Sequence, residues 1–429
     1  MSGRFYVETL GCPKNQVDSD KIIGTLLAQG MAATDEAGDA DLVVVNTCAF
    51  IEEARKESID TILALADQRR DGARLVVTGC MAERYGDELA EALPEVDQVA
   101  GFGVAIPAVV PGAGKRLIPV SVQTLPELDL LNLPRPPATA PWAYVKIAEG
   151  CDRTCGFCAI PSFRGRQRSR DVASILAEVE QLGAQEIVLV AQDLASYGKD
   201  RPDELGAGSI VALVRAASAQ VPWVRLLYLY PSDLSDDLID AMLDTGVPYF
   251  DLSLQHVSKP LLRRMRRWGD GDRFLRRIAD IRRRDAGAAF RSNFIVGYPG
   301  ETEEDHDQLL AFVEQAELDW CGFFAYSPED GTYAADLNGR VPEGLMAERL
   351  AELRELQDAI TARRRDDLIG SEVTVLVDEP GVARSVREAP EIDGVIEVPV
   401  DLEVGVFHQV SIVDAQGPDL VATAGVTVP

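Results

Sequence analysis

Short apolar runs alternate with longer stretches of helical spacing along most of the chain. Phe5-Tyr6-Val7-Glu8-Thr9-Leu10, Leu42-Val43-Val44-Val45-Asn46 and Leu75-Val76-Val77-Thr78 read as strands. They end at Gly11-Cys12-Pro13-Lys14-Asn15, at Thr47-Cys48 and at Gly79-Cys80. Helices are expected from near Asp18-Ser19, over the charged stretch Ile51 to Arg70, and after Cys80. Such alternation predicts a parallel α/β sheet over residues 1–110. Residues 111–141 carry Pro111, Pro119, Pro126, Pro134, Pro136, Pro137 and Pro141 and read as a linker, because proline removes donors and stiffens the chain. The alternation resumes over residues 142–369. Strands are expected at Ala143 to Ala148, Glu186 to Ala191, Trp223 to Tyr228, Tyr249 to Leu254, Phe290 to Val296 and Trp320 to Tyr326. Ser174 to Leu182 and Met346 to Arg365 read as helices, the second with Leu350, Leu353, Leu356 and Ile360 on one side. Six strand–helix units suit a full or partial β/α barrel. Residues 370–429 change character. Val373 to Val377, Gly394 to Val398, Gln409 to Val413 and Leu420 to Val428 alternate like strands, which suits a small five-stranded β-barrel. The fold class is therefore α/β, with an N-terminal parallel sheet, a β/α barrel and a C-terminal β-barrel.

Cysteines sit at the ends of these strands. Cys12, Cys48 and Cys80 each lie just past the carboxyl end of a strand, and in an open parallel sheet those ends share the edge where ligands bind. Three thiols far apart in sequence can thus converge, and Gly11 and Gly79 would let the backbone turn tightly beside a bulky group. The alternative is three small buried core residues. Cys151, Cys155 and Cys158 follow the first barrel strand at a C-x₃-C-x₂-C spacing, with Phe157 before the last. A cubane 4Fe–4S cluster takes four thiolates, so three from one loop leave an iron open. Zinc would want a fourth ligand close by, and His256, His306 and His408 are all distant in sequence. The same reading makes Cys12, Cys48 and Cys80 ligands of a second cluster. Cys321 has no cysteine neighbour in sequence and is expected to be a buried structural thiol.

Charge narrows the partners. The formal net charge of the 429 residues is −28, which disfavours non-specific binding to nucleic acid. The arginines crowded between Arg263 and Arg284 read as a solvated outer helix face in an acidic protein. Residues 371–429 hold eleven acidic side chains against Arg384 and Arg387, a balance that repels phosphate and attracts a basic protein. No apolar run approaches the roughly 18 residues of a membrane span, and no secretory signal follows Met1, so a cytosolic protein without a membrane partner is expected.

The stretch Cys151-Asp152-Arg153-Thr154-Cys155-Gly156-Phe157-Cys158 resembles the signature of radical S-adenosylmethionine enzymes, and residues 370–429 resemble the TRAM module of RNA-modifying enzymes. With the three cysteines of the first domain, the whole chain resembles the methylthiotransferases. Leu10-Gly11-Cys12-Pro13-Lys14-Asn15 and the run from Val145 to Gly165 are similar to the RimO branch, which modifies an aspartate of ribosomal protein S-twelve. The resemblance implies S-adenosylmethionine on the open iron of the Cys151, Cys155 and Cys158 cluster, cleaved to a radical that takes hydrogen from the aspartate β-carbon. It implies that the Cys12, Cys48 and Cys80 cluster carries the sulfur. Gln192 lies where the family holds the cofactor's amino group, although the usual Gly-Gly-Glu is absent, and Ile295 to Glu301, with Gly297, is similar to the segment beside the adenine. Phe157 completes the expected cofactor contacts. Further expectations are an electron donor, a sulfur donor, a monomeric state and no direct transfer-RNA contact. A transfer-RNA methylthiotransferase and a non-catalytic two-cluster electron carrier are the alternatives.

Overall fold

A computed structural model describes residues 3–104, 106, 129–206 and 209–425. The part of the expected linker over 111–128, and positions 426–428 of the last expected strand, lie outside the described residues.

The first region is a parallel sheet in the order Ala32–Ala33, Arg4–Thr9, Leu42–Thr47, Arg74–Gly79, Gln98–Val99. The central strand Leu42–Thr47 is buried along its whole length, as expected of an apolar run covered on both faces. The two outermost strands are too short to leave a pattern in the sequence. The first helix spans Pro13–Ala28, so it begins five residues earlier than the expected Asp18. Proline at a first helical position needs no donor and has φ already set, so Pro13 starts this helix instead of delaying it.

All six expected strands of the second region form: Trp142–Lys146, Glu186–Val190, Trp223–Leu226, Tyr249–Gln255, Ala289–Val296 and Trp320–Ala325. They make two three-stranded parallel sheets joined by a single bridge, Leu229 to Leu252, and so form a partial barrel. The break has a local cause. Tyr228 sits at φ +66°, where a side chain is strained, and its N–H donates to the Asp251 carboxylate at 2.9 Å. The strand therefore bends away after Leu226 and rejoins through Leu229 N to Asp251 O at 2.9 Å.

Alternation sorts the barrel residues. Val145, Ile187 and Leu189 face the helices, whereas Tyr144, Val188, Val190, Tyr249 and Trp320 share an inner cluster with Val17, Leu376 and Ala389. The inside is thus stoppered by other regions. The stopper is largely the segment 385–393. Tyr144 donates to Pro390 O at 2.9 Å, Trp320 Nε1 to Arg387 O at 2.8 Å, and Arg291 to Asp393 at 2.6 Å. Below these, Glu186 holds both Arg225 (2.6 Å) and Arg384 (2.7 Å), all three buried. The helix Glu343–Asp366 leads to the last region, a closed barrel ordered Glu372–Glu379, Val382–Arg384, Ile396–Glu397, Asp419–Ala424, Phe407–Gln416. Among the described residues no helix is long and apolar enough to cross a membrane.

Burial also sets a pH dependence. His256 is fully buried, its Nδ1 accepts from Ser258 N–H at 3.1 Å, and burial pulls its pKa down to about 4 despite nearby Asp305. The unfolded chain protonates this ring near 6.5, so the folded state loses stability as pH falls from there toward 4. Between pH 7 and pH 5 the loss is about 2 kcal/mol. Urea unfolding at the two pH values should show it, and His256→Gln should remove that share of the difference.

Candidate functional site

The three cysteines of the first region meet at the carboxyl edge of its sheet. Cys12 caps the helix Pro13–Ala28, Cys48 follows Leu42–Thr47, and Cys80 opens the helix Cys80–Ala92. Gly11, at φ +95°, carries no side chain because a Cβ there would lie 2.9 Å from Cys48 Sγ. Gly79, at φ +92°, likewise leaves room for Asn46 Oδ1 and Thr47 O. Asn15 ties the loops together. Fully buried, it donates to Leu10 O at 2.8 Å and Thr47 O at 3.0 Å, and its Oδ1 lies 3.7 Å from Cys80 Sγ. Burial alone would raise the Cys12 thiol, but Lys14 and Arg164 outweigh it and bring the pKa below its usual value. Burial pushes Cys48 up to about 12, and it raises Cys80 against the pull of Arg164.

The second set lies on the loop after Trp142–Lys146. Cys151 N donates to Gly165 O at 3.1 Å and Gly156 N to Met265 O at 2.8 Å, which shapes the loop from both sides. Burial pushes the Cys151 thiol to about 11 and Cys158 to about 12. Two arginines flank the loop. Arg153 binds Asp193 at 2.6 Å, Ser196 at 3.0 Å and Asp233, and lies 3.9 Å over the Tyr230 ring. Arg267 also lies over the Tyr230 ring, at 4.0 Å, and donates to Cys155 Sγ at 3.4 Å.

A buried charge cluster joins the two sets. Arg164 reaches Cys80 Sγ (3.1 Å), Asn15 Oδ1 (2.8 Å), Asp18 (3.1 Å) and Glu149 (3.0 Å). Lys146 binds Asp18 and, at 2.6 Å, Glu149. Burial would raise the Glu149 carboxyl, but Arg164 and Lys146 hold it well below the usual carboxylate range. Glu149 then accepts from Gln192 Nε2 at 2.7 Å, and Gln192 Oε1 accepts from Gly150 N at 3.1 Å, next to Cys151.

Six thiols in two sets, without histidine, suit iron–sulfur clusters, in which each thiolate takes a different iron. Among the described residues no three His, Cys, Asp or Glu side chains lie close enough together to hold a single metal ion, and zinc would further need a fourth Cys or His beside either set. His306 faces Glu352 at 2.9 Å and His408 lies on a strand of the terminal barrel. Thiols held above their usual pKa would release protons as iron binds.

The remaining expected contacts lie at the carboxyl ends of barrel strands. Gln192 is beside the cysteine loop, already engaged by Glu149. Phe157 and Ile295 are half-buried against the barrel core. Gly297 has φ +85°, its N–H donates to Glu301 at 2.6 Å, and Met346 fills the space a Cβ would need. Cys321 is half-buried on its strand, apart from both sets. The arginine-rich segment divides. Arg277 and Arg284 pair with Asp236 and Asp240 on the surface, as expected, whereas Arg267 turns inward to the cysteine loop. Sequence reasoning missed Arg267 because its neighbours hid it, and Arg164 and Lys14 although both lie inside the quoted motifs.

Comparison with known proteins agrees with this layout. Residues 4–101 match the Uncharacterized protein family UPF0004, residues 145–313 the Radical SAM superfamily and residues 369–424 the TRAM domain. The chain is 41% identical to the ribosomal protein uS12 methylthiotransferase RimO of Cutibacterium acnes over 97% of each chain. It is 43% identical to that of Moorella thermoacetica over 93% of each. Among solved structures it resembles the radical S-adenosylmethionine methyltransferase TsrM of Kitasatospora setae, with a TM-score of 0.51 and 16% identity, over 83% of this chain and 89% of that one. That likeness concerns the fold alone.

Proposed function

The chain belongs to the RimO family of radical SAM methylthiotransferases, and from that premise we propose that it adds a methylthio group to the β-carbon of an aspartate in ribosomal protein uS12. Cys151, Cys155 and Cys158 would hold one 4Fe–4S cluster, beside which S-adenosylmethionine would bind, and Cys12, Cys48 and Cys80 would hold a second. When bound, these groups supply one-electron chemistry at an unactivated C–H bond, and the sulfur. No tuned acid–base pair could remove that hydrogen, so the side chains bind, orient and shield. Glu149 fixes Gln192 and the Gly150 N–H beside the cysteine loop. Arg153 and Arg267 both lie over the Tyr230 ring beside the cysteine loop and fix its position there.

The observation that carries the choice of substrate is the terminal barrel. Asp378, Glu388 and Asp393 are spent on Arg384, Arg365 and Arg291 in the joint. Glu372, Glu379, Glu391, Glu397, Asp401, Glu403 and Asp414 remain exposed, while Arg384 is buried and Arg387 half-buried. A barrel surface with seven exposed carboxylates and no exposed lysine or arginine among its described residues repels phosphate and attracts a basic protein. A cytosolic setting, an external reductant and a sulfur donor belong to the same proposal. The test is to incubate reduced, reconstituted protein with S-adenosylmethionine and either a uS12 peptide or transfer RNA. A mass gain of one methylthio group on the peptide is expected. A gain on RNA alone would overturn the substrate assignment, and absence of 5′-deoxyadenosine would favour an electron carrier.

A further inference from the structure

We propose that the Lys14 ammonium is the group that binds the side-chain carboxylate of the substrate aspartate and so determines substrate specificity. The inference rests on the reading that the substrate is a protein aspartate. Lys14 is half-buried, and its ammonium lies 3.3 Å from the centre of the Tyr228 ring. Among the described residues it has neither an ion pair nor a hydrogen-bond acceptor, whereas the neighbouring cations are committed. Arg164 holds Asp18, Glu149, Asn15 and Cys80. Arg153 holds Asp193 and Asp233, and Lys146 holds Asp18 and Glu149. Asp251 attracts Lys14 from a distance without pairing with it: its Oδ2 accepts from the Tyr228 N–H at 2.9 Å, and its Oδ1 lies 3.9 Å from Arg291 with no hydrogen-bond partner.

The platform under Lys14 is held in a conformation that costs energy. Tyr228 is one of few non-glycine residues at positive φ, and such strain persists where surroundings impose it. An ammonium resting on an aromatic face keeps its donors free on the side away from the ring. Position gives those donors a use. Tyr228 faces Lys14, two residues from Cys12, while Tyr230 lies beside Arg153 and Arg267, the latter touching Cys155. The segment from Tyr228 to Tyr230 thus contacts Lys14, beside the first cysteine set, at one end and the arginines beside the second set at the other. The aspartate β-carbon bears its carboxylate directly. Placed between two anionic thiolate sets, that carboxylate would be repelled unless a cation met it. A lysine that merely offset the Cys12 charge would have no reason to distinguish an aspartate from its amide.

The experiment compares two uS12 peptides that differ only in aspartate or asparagine at the modified position, with dissociation constants measured on reconstituted protein. Wild type is expected to prefer the aspartate peptide by about ten- to hundredfold, the worth of one charged hydrogen bond. Lys14→Met should erase the preference and Lys14→Arg should keep it. Lys14→Gln gives the same comparison if the methionine variant loses iron. A preference that survives in Lys14→Met, equal weakening of both peptides, or loss of iron in all three variants would overturn the proposal. Wild-type protein that leaves the aspartate peptide unmodified while modifying transfer RNA would overturn the substrate assignment itself, and this inference with it.

Discussion

Replacing Cys12, Cys48 and Cys80 together with alanine is expected to halve the iron bound per reconstituted chain and to end methylthio transfer, while 5′-deoxyadenosine is still formed from S-adenosylmethionine. The loops should survive the change, because sulfur is not what shapes them. Asn15 ties Leu10 O to Thr47 O, and Gly11 and Gly79 supply the turns. The second set stands on a different loop, fixed by Gly165 O and Met265 O, and keeps its own thiols. Alanine at Cys151, Cys155 and Cys158 should give the converse result, with half the iron and no 5′-deoxyadenosine. Iron analysis with product chromatography on the two triple variants separates the sets. Unchanged iron in the first variant would reduce Cys12, Cys48 and Cys80 to buried core residues. The raised thiols of Cys48 and Cys80 could not by themselves distinguish the two roles, since a bare ligand and a core cysteine are both raised by burial.

What was legible in the sequence were the local rules. Strand–helix alternation gave all six barrel strands and the three long strands of the first sheet, because each buries a continuous apolar run. Cysteines at strand ends pointed to one sheet edge, and that is where they lie. Contacts between regions were not legible. Periodicity is silent about which regions touch, so the plug of segment 385–393 inside the partial barrel left no trace. The acidic count of the last region overstated its surface, because Glu388 and Asp393 are consumed by Arg365 and Arg291 from other elements. Arg267 looked like one more surface arginine, and only the fold aims it at Cys155. The helix start at Pro13 departs from the expected Asp18 for a different reason. Proline signals both a turn and a first helical position, and the sequence alone does not choose between them.

Arg164→Met should be the most destabilising single change at the joint, costing about 3–5 kcal/mol, the range for removing one partner from a buried ion cluster. Arg164 and Lys146 together face Asp18 and Glu149, with side chains almost wholly out of solvent. Methionine fills much of the space but leaves two carboxylates to one ammonium. Glu149, depressed in the native protein, would then be raised by its burial. The sign of the pH dependence follows. In the native protein Glu149 contributes stability above its unfolded pKa, and this is lost as pH falls below that value toward the depressed folded one. In the variant the raised carboxyl costs stability at neutral pH and recovers it by taking up a proton on acidification. The deficit relative to wild type should therefore be larger at pH 7 than at pH 5 in urea unfolding. Adding Glu149→Gln should restore at least about 1 kcal/mol, since it removes the uncompensated charge and keeps a hydrogen-bonding side chain. A deficit independent of pH, unrelieved by the second change, would mean that Arg164 acts through packing on Phe102, whose ring it covers at 4.0 Å, and not through charge. The distinction bears on function, because the same guanidinium donates to Cys80 Sγ. If charge dominates, this buried cluster sets the electrostatic environment of one cysteine set through residues that also position the other.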